Sequence, residues 1–230
     1  MTGILLQISM SAADSVKAAT AGKSTLSLWD LTLAGGPIMI PIFLLSILAI
    51  FIFFERYFSI NQASKIDSNF MNRIRDYIHD GKIDAALALC RSITNPAARM
   101  IEKGISRIGR PLSDVQAAIE NVGQLEVYTL EKRLALLATC AGAAPMLGFL
   151  GTVTGMIKAF YDMANAGNNI DIQLLSSGIY QAMVTTVAGL IVGILAYFAY
   201  NYLTTNVHKV IHTLQSTTID FMDLLNEPAK

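Results

Sequence analysis

Three long stretches of the chain contain almost no charged positions. The first runs from Pro37 to Phe54 and carries no charge over 18 residues. The second, Leu134 to Phe160, has one charge, Lys158 near its end, and the third, Leu174 to Leu203, has none. At 1.5 Å per residue, 18 residues form about 27 Å of helix, close to the hydrocarbon thickness of a bilayer. The pattern therefore predicts three membrane-spanning helices.

The segment between the first two stretches has the three- to four-residue spacing of amphipathic helices. Gly81, Asn95-Pro96 and the pair Gly109 and Pro111 divide it, which predicts helices before Gly81, over about 82–92 and over about 97–108. Capping-box patterns at Ser64–Asp67 and Ser113–Gln116 predict two helix starts.

Beyond Ser113, apolar positions at helical spacing continue without a break into the second apolar stretch. We expect one helix from about 114 to 160, roughly 70 Å long, with Pro145 as the first residue that could interrupt it. The third stretch is also followed by helix-compatible sequence, from Thr204 to Leu225.

These elements predict an all-α integral membrane protein. It has three transmembrane helices, two of them extended into a cytoplasmic helical bundle. The predicted segments are an N-terminal periplasmic segment (1–30), the first transmembrane helix (31–56), a cytoplasmic helical region (57–133), the second transmembrane helix (134–160), a periplasmic link (161–173), the third transmembrane helix (174–203) and a cytoplasmic helical tail (204–230).

The distribution of basic residues gives the orientation. Twelve of the 17 lysines and arginines lie between Arg56 and Arg133, whereas 161–173 has none. The positive-inside rule then places residues 55–133 and the C-terminus in the cytoplasm and the N-terminus outside. In a bacterium this is a multi-pass protein of the inner membrane. We interpret the first residues as an amphipathic helix on the outer membrane face, with a signal peptide as the alternative.

Composition excludes several function classes. Only 15% of residues are charged, against about 25% in soluble domains, and the zero net charge argues against nucleic-acid binding. No phosphate loop, nucleophile elbow or carboxylate pair is present, so we expect neither an enzyme nor a cofactor. Cys90 is expected in a helix core, and His208 with His212 lacks a third metal ligand.

The candidate functional residues are polar side chains at membrane depth. Thr152 lies about 12 Å from the outer end of the second span, and Thr186 about 18 Å from that of the third. Their neighbours Thr185 and Gln181 are also polar. A threonine hydroxyl can simply bond to its own helix, which is the alternative to a pore lining. The spacings Gly148-xx-Gly151 and Gly151-xxx-Gly155 are typical of closely packed membrane helices.

No aspartate or glutamate occurs in any of the three apolar stretches. A proton relay through a membrane normally uses an ionisable group. If this chain conducts protons, a partner must supply the carboxylate. The threonine hydroxyls would then solvate that carboxylate or help to hold a sodium ion.

Two longer segments resemble the signatures of the MotA/TolQ/ExbB proton-channel family. Residues Ala143 to Phe160 are similar to APLLGLLGTVxGMIxAF, and Gln181 to Asn201 to EALxxTAxGLxxAIPAxxxYN. Leu28-Trp-Asp30 and Gly36 to Pro41 resemble the family's opening. The residues that match pore or structural positions of these signatures are Thr152, Thr186, Thr185, Gln181, Pro145, Gly148, Gly151, Gly155, Gly189 and Asn201.

The resemblance, which is strongest to ExbB-type members, implies a homo-pentamer in membrane lipid around a central pore. Single-span partners of the ExbD/TolR type would bring the missing aspartate into that pore. Proton flow would then energise outer-membrane transport through a TonB-like protein. A TolQ-like role in envelope maintenance and a motility motor are the alternatives within the family.

The sequence departs from the signatures at two places. Gln181 stands where ExbB-type members often carry glutamate, which favours a non-conducting scaffold as a further alternative. Gly193-Ile-Leu-Ala196 replaces the segment that holds the proline, so we expect a straighter third helix. The paired Thr185-Thr186 leaves sodium coupling open beside proton coupling.

Overall fold

A computed structural model describes residues 35–65, 67, 69–165 and 172–226, and over these ranges the regular structure is entirely helical. The predicted N-terminal segment and Leu28-Trp-Asp30 lie outside the described residues. The helices are α1 (Met39–Ser64), α2 (Phe70–His79), α3 (Ile83–Ser92), α4 (Pro96–Ile105), α5 (Leu112–Glu131), α6 (Leu134–Asn165) and α7 (Ile172–Asn226).

Three helical segments among the described residues are long and apolar enough to cross a membrane, which confirms the all-α membrane fold. They comprise α1, the α5–α6 pair and α7. At this end of the spans both helices extend beyond their apolar stretches, since α6 continues to Asn165 and α7 begins at Ile172.

The helices in the apolar region pack as a group of three. The most extensive pairing is α6 with α7, and α1 packs on both. Gly148 of α6 lies against Gly189 of α7, and Gly155 lies against Ala182, so the two helices run antiparallel. Tyr57 of α1 stacks on Tyr202 of α7 at a ring distance of 6.4 Å, near the end of both apolar stretches.

The first helix does not end at 55–57 as the sequence suggested. It continues to Ser64, because Ile60 and Ala63 extend its buried face past the apolar stretch. Its end is tied to the next helices by Asn95, which is 3% exposed. The Asn95 amide donates to the carbonyls of Ala63 and Lys65 at 3.1 and 2.9 Å.

The same Asn95 begins α4. Its Oδ1 accepts from the Ala97 N–H at 2.9 Å, and Pro96 occupies the first helical turn, where a missing N–H costs little. The short helices predicted from Gly81, Asn95 and Gly109 are therefore confirmed to within a few residues. The helix start predicted at Ser64 is wrong, since Ser64 ends α1. The start predicted at Ser113 is confirmed to within two residues, but α5 begins behind Pro111 without the predicted side-chain cap.

A second group of helices, here called the distal bundle, consists of α2 to α5 and the C-terminal part of α7. Its core contains large side chains that are almost fully buried, and Cys90 lies among them at 1% exposed, as predicted. The large core residues are Phe70, Ile74, Ile101, Ile119 and Phe221. The extension of α7 into this bundle confirms that the third helix runs far beyond its apolar stretch.

The predicted single helix from 114 to 160 is wrong. It is interrupted between Glu131 and Leu134, where Arg133 adopts φ 71°, and it passes through Pro145 without ending. A left-handed conformation costs a non-glycine residue about 1–2 kcal/mol. Nothing in the local sequence calls for a break here, so contacts from elsewhere in the chain must hold it.

Candidate functional site between two membrane helices

The face of α6 that packs on α7 consists of small residues. A Cβ added to Gly148 would lie 3.0 Å from the Thr185 carbonyl oxygen and 3.1 Å from the Thr186 Cα. One added to Gly155 would lie 2.8 Å from the Cβ of Ala182. The backbones therefore touch, and any larger side chain would have to push the helices apart.

The facing positions of α7 are small as well. A Cβ on Gly189 would lie 2.9 Å from the Gly148 Cα, and one on Gly178 would lie 2.7 Å from the Ala159 Cβ. These contacts continue over several turns of both helices. We call this line of contact the α6–α7 seam; its members are Ala144, Gly148, Gly151, Gly155, Ala159, Gly178, Ala182, Thr185, Thr186, Gly189 and Gly193.

Pro145 lies at the end of the seam that Gly193 occupies. Its ring lies directly over Gly193, where an added Cβ would meet the ring carbons and lie 3.0 Å from the Ala141 carbonyl oxygen. Proline has no N–H, so the Ala141 carbonyl loses its helical donor at this turn. Gly193 thus provides the space in which α6 accommodates a proline.

Two threonine hydroxyls of α7 point into the seam. Thr186 Oγ1 donates to the Gly148 carbonyl across the helix pair at 3.0 Å. Thr185 is 2% exposed, and its Oγ1 lies 2.7 Å from the Ala182 carbonyl and 3.4 Å from that of Gly148. A hydroxyl has one proton, so Thr185 donates mainly to Ala182. Thr186 therefore makes the interhelical hydrogen bond.

Thr152 uses its hydroxyl on its own helix. Its Oγ1 donates to the Phe149 carbonyl at 2.6 Å, and the residue is half-buried beside the seam. Thr154 does the same with the Leu150 carbonyl at 2.9 Å but lies on the exposed side of α6. The two threonines thus have the same local chemistry and differ in the face they occupy.

Gln181 lies near the opposite end of the seam. A Cβ on Gly36 would collide with the Gln181 amide, so this side chain packs on the turn that precedes α1. Gly36 has φ 70°, a conformation that suits glycine. Gln181 therefore joins α7 to the start of α1.

Asn201 is remote from the threonines. It is exposed, and its amide donates to the Tyr197 carbonyl of the same helix at 2.9 Å. Fifteen residues separate it from Thr186, which corresponds to about 22 Å along α7.

The described parts of the apolar stretches hold no aspartate, glutamate, histidine, lysine or arginine over 39–54, 134–157 and 172–203. No three His, Cys, Asp or Glu side chains come together as metal ligands in the part of the chain that the structure describes. Polar chemistry in this region therefore comes from hydroxyls, amides and backbone carbonyls.

The profile of the MotA/TolQ/ExbB proton channel family matches residues 92–216, which include the whole seam. The chain belongs to this family. An ExbB-like biopolymer transport protein of Synechocystis is 31% identical, over 84% of this chain and 74% of its own length.

Two further relatives carry names of the same family. An ExbB homolog of Methanothermobacter thermautotrophicus is 27% identical over 79% of this chain, and the match spans 64% of that protein. The Tol-Pal system protein TolQ of Haemophilus influenzae is 33% identical over 45% of each chain. Membership in the family establishes a membrane protein of a channel and transport class.

The structure brings most of the candidate residues together. Thr185, Thr186 and the four glycines Gly148, Gly151, Gly155 and Gly189 all belong to the seam, whereas Asn201 does not. Thr152 flanks it. Whether Thr152, Thr185, Thr186 and Gln181 line a pore depends on an assembly of several chains, so that assignment stays a prediction.

Sequence reasoning missed several seam residues. Gly178, Ala182 and Gly193 complete the α7 side, and their spacing to Gly189 follows the same three- to four-residue rhythm as the glycines of α6. A search for small residues at that spacing on both spans would have found them.

Proposed function

We propose that this chain forms the wall of an ion channel in the inner membrane and is the stationary subunit of an ion-driven motor. Family membership supports this proposal. The observation that carries it is Thr186, whose hydroxyl reaches across the seam in a region without carboxylate or basic side chains. A threonine hydroxyl has free lone pairs while it donates to a carbonyl, so it can accept from a protonated carboxyl that another chain brings, or turn its own proton to the charged form.

That charge would come from a single-span partner of the ExbD/TolR type with an aspartate in its membrane helix. The proposed assembly is a homo-pentamer around the partner helices, with H⁺ as the transported ion. Proton entry would change the charge of the aspartate, and the partner helix would move against Thr152 and Thr186. The N-terminus lies in the periplasm and the C-terminus in the cytoplasm in this arrangement.

The work of this motor would energise outer-membrane transport through a TonB-like protein. The ExbB-like names of two relatives support this role over others. The TolQ relative supports the second role within the family, envelope maintenance. Co-purification from native membranes distinguishes them, since a TonB-like protein would accompany the first and a TolA-like protein the second.

The channel test compares threonine variants reconstituted with the partner in liposomes. Thr186→Ala should reduce proton flux by about tenfold, because it removes the interhelical donor and the hydroxyl that would meet the partner's carboxylate. Thr186→Ser should retain most of the flux. Thr154→Ala is the matched control, since its hydroxyl bonds only to its own helix on an exposed face.

A measurement of flux driven by a sodium gradient at constant pH shows whether the transported ion is H⁺ or Na⁺. Wild-type flux that Thr186→Ala leaves unchanged would contradict a place for Thr186 in the channel wall. Wild-type flux no higher than that of empty liposomes, for both ions, would favour the second candidate function, a non-conducting scaffold. That candidate is supported by Thr185 and Thr186, whose hydroxyls are already bonded within the helix pair.

A further inference from the structure

The interruption between α5 and α6 occurs in a sequence that has no reason to break. Glu131, Lys132 and Arg133 are flanked by leucines and contain no glycine, proline or asparagine. All three residue types are favourable or neutral in helices, and the apolar spacing continues through them. Left to itself, the segment would form the continuous helix that its sequence predicts.

Two residues of α1 hold the broken conformation. Arg56 Nη1 donates to the Thr129 carbonyl at 3.0 Å. In a continuous helix that carbonyl would accept from the N–H of Arg133, four positions later. The Arg56 guanidinium thus occupies the acceptor that the continuous helix needs.

Glu55 holds the other side of the break. One of its carboxylate oxygens pairs with the Arg133 guanidinium, and the other accepts from Arg56 Nη2 at 2.9 Å. The residue with φ 71° is therefore the one that Glu55 binds. Arg56 itself is 8% exposed, and its Nε has no acceptor within the described residues. The cluster is compact, but its hydrogen bonding is incomplete.

The break costs the backbone several helical hydrogen bonds. Lys132 N–H still donates to Tyr128, and Leu137 N–H donates to Arg133. The four N–H groups between them, at 133–136, make no hydrogen bond to the carbonyl four positions earlier. Closing the break would add these bonds and relieve the left-handed residue, at the cost of the contacts to Glu55 and Arg56.

We propose that residues 131–134 form a two-position joint, whose bent position is held by Glu55 and Arg56 and whose straight position is a continuous α5–α6 helix. The first membrane helix, α1, thereby sets the direction in which the distal bundle projects from the second membrane helix, α6. A displacement of α1 relative to α6 would release the joint, and the distal bundle would reorient.

Hydrogen exchange of the full chain in lipid nanodiscs tests the joint, read on peptides that cover 133–136. The variant Glu55→Ala with Arg56→Met removes both holding contacts and retains the apolar stem at 56. Exchange at these amides should become about tenfold slower than in wild type, because they gain helical partners. Loss of contacts ordinarily makes exchange faster, so the sign of the change is diagnostic.

Two substitutions at Arg133 give a matched pair. Both Arg133→Gly and Arg133→Ala remove the ion pair with Glu55. Glycine takes φ 71° without strain, so Arg133→Gly should stay bent and exchange as fast as wild type. Alanine favours the helix, so Arg133→Ala should exchange more slowly. Arg133 is exposed, so these variants decide the question even if the double variant does not fold.

Glu102→Gln is the control for charge removal alone, because it breaks the ion pair with Arg91 at 2.7 Å within the distal bundle. It should leave exchange at 133–136 unchanged. Equal exchange in Arg133→Ala and Arg133→Gly would overturn the joint. Faster exchange at 133–136 in the double variant would also overturn it, if amides of the distal bundle core keep their wild-type exchange rates. Either result would mean that packing alone fixes the bend.

Discussion

The α6–α7 seam and the distal bundle are held together by opposite means. In the seam, glycines and alanines bring two backbones into contact, and there is no space for another atom. In the distal bundle, large side chains such as Phe221 and Ile119 fill the space between helices that stay further apart. The seam should therefore fail when volume is added, and the distal bundle when it is removed.

Two buried cysteines can report on the two regions separately. Cys90 lies in the distal bundle and is 1% exposed, and Cys140 lies on α6, four residues before Ala144 of the seam, and is 2% exposed. A membrane-permeant maleimide can modify either thiol only when its surroundings open. The ratio of the two modification rates therefore shows which region a substitution loosens.

The largest effect is expected from Phe221→Ala. Phe221 is fully buried, and both its ring and Ile119 lie against Gly104. Its loss should destabilise the distal bundle by about 4 kcal/mol and accelerate modification of Cys90 in proportion. Cys140 should react at its wild-type rate. Equal acceleration at both cysteines would mean that the regions unfold as one unit, and the comparison would not hold.

Gly189→Val should have the next largest effect, with the opposite volume change. Its side chain would meet the backbone of Ala144 and Gly148, which cannot move aside without separating the helices. We expect a loss of about 3 kcal/mol in the seam, seen as faster modification of Cys140 with Cys90 unaffected.

The matched control is Gly142→Val on the facing helix, α6. A Cβ at Gly142 meets nothing within 4 Å, so this substitution should be close to neutral. If Gly142→Val were as damaging as Gly189→Val, the effect would belong to helix propensity rather than to contact across the seam.

Some parts of this structure can be predicted from the sequence and others cannot, depending on whether the signal is local. Apolar stretches and glycine spacing are local signals, so the three spans and the glycine contacts of the seam could be read from them. The break at Arg133 could not, because its cause is Glu55 and Arg56, almost 80 positions earlier in the chain. Long charged side chains that reach across helices leave no periodic trace.

The same contrast explains why no capping box forms at Ser64. The spacing to Asp67 is right, but Ser64 Oγ donates back to the Asn61 carbonyl and α1 continues to Ser64. The residue that organises this corner is Asn95, about 30 positions away. The sequence marks Asn95 only as the residue before a proline.

The smallest effect concerns the pH dependence of the distal bundle. Burial, with a smaller contribution from the nearby Glu102 carboxylate, raises the pKa of the Cys90 thiol from 9.0 to about 12. Between these values the unfolded chain loses the thiol proton while the folded chain keeps it. The folded state binds more protons, so stability must fall as pH rises, by up to about 1.4 kcal/mol per pH unit from pH 9 upward.

This fall can be isolated in a Cys140→Ala background by following thermal unfolding of the distal bundle at pH 8 and pH 10. The midpoint should drop at pH 10, and Cys90→Ala should remove most of the drop because no thiol remains to ionise. An unchanged drop in Cys90→Ala would assign it to other groups. Because the thiol is buried among large side chains rather than in the seam, Gly189→Val should leave this pH dependence as it is in the wild type.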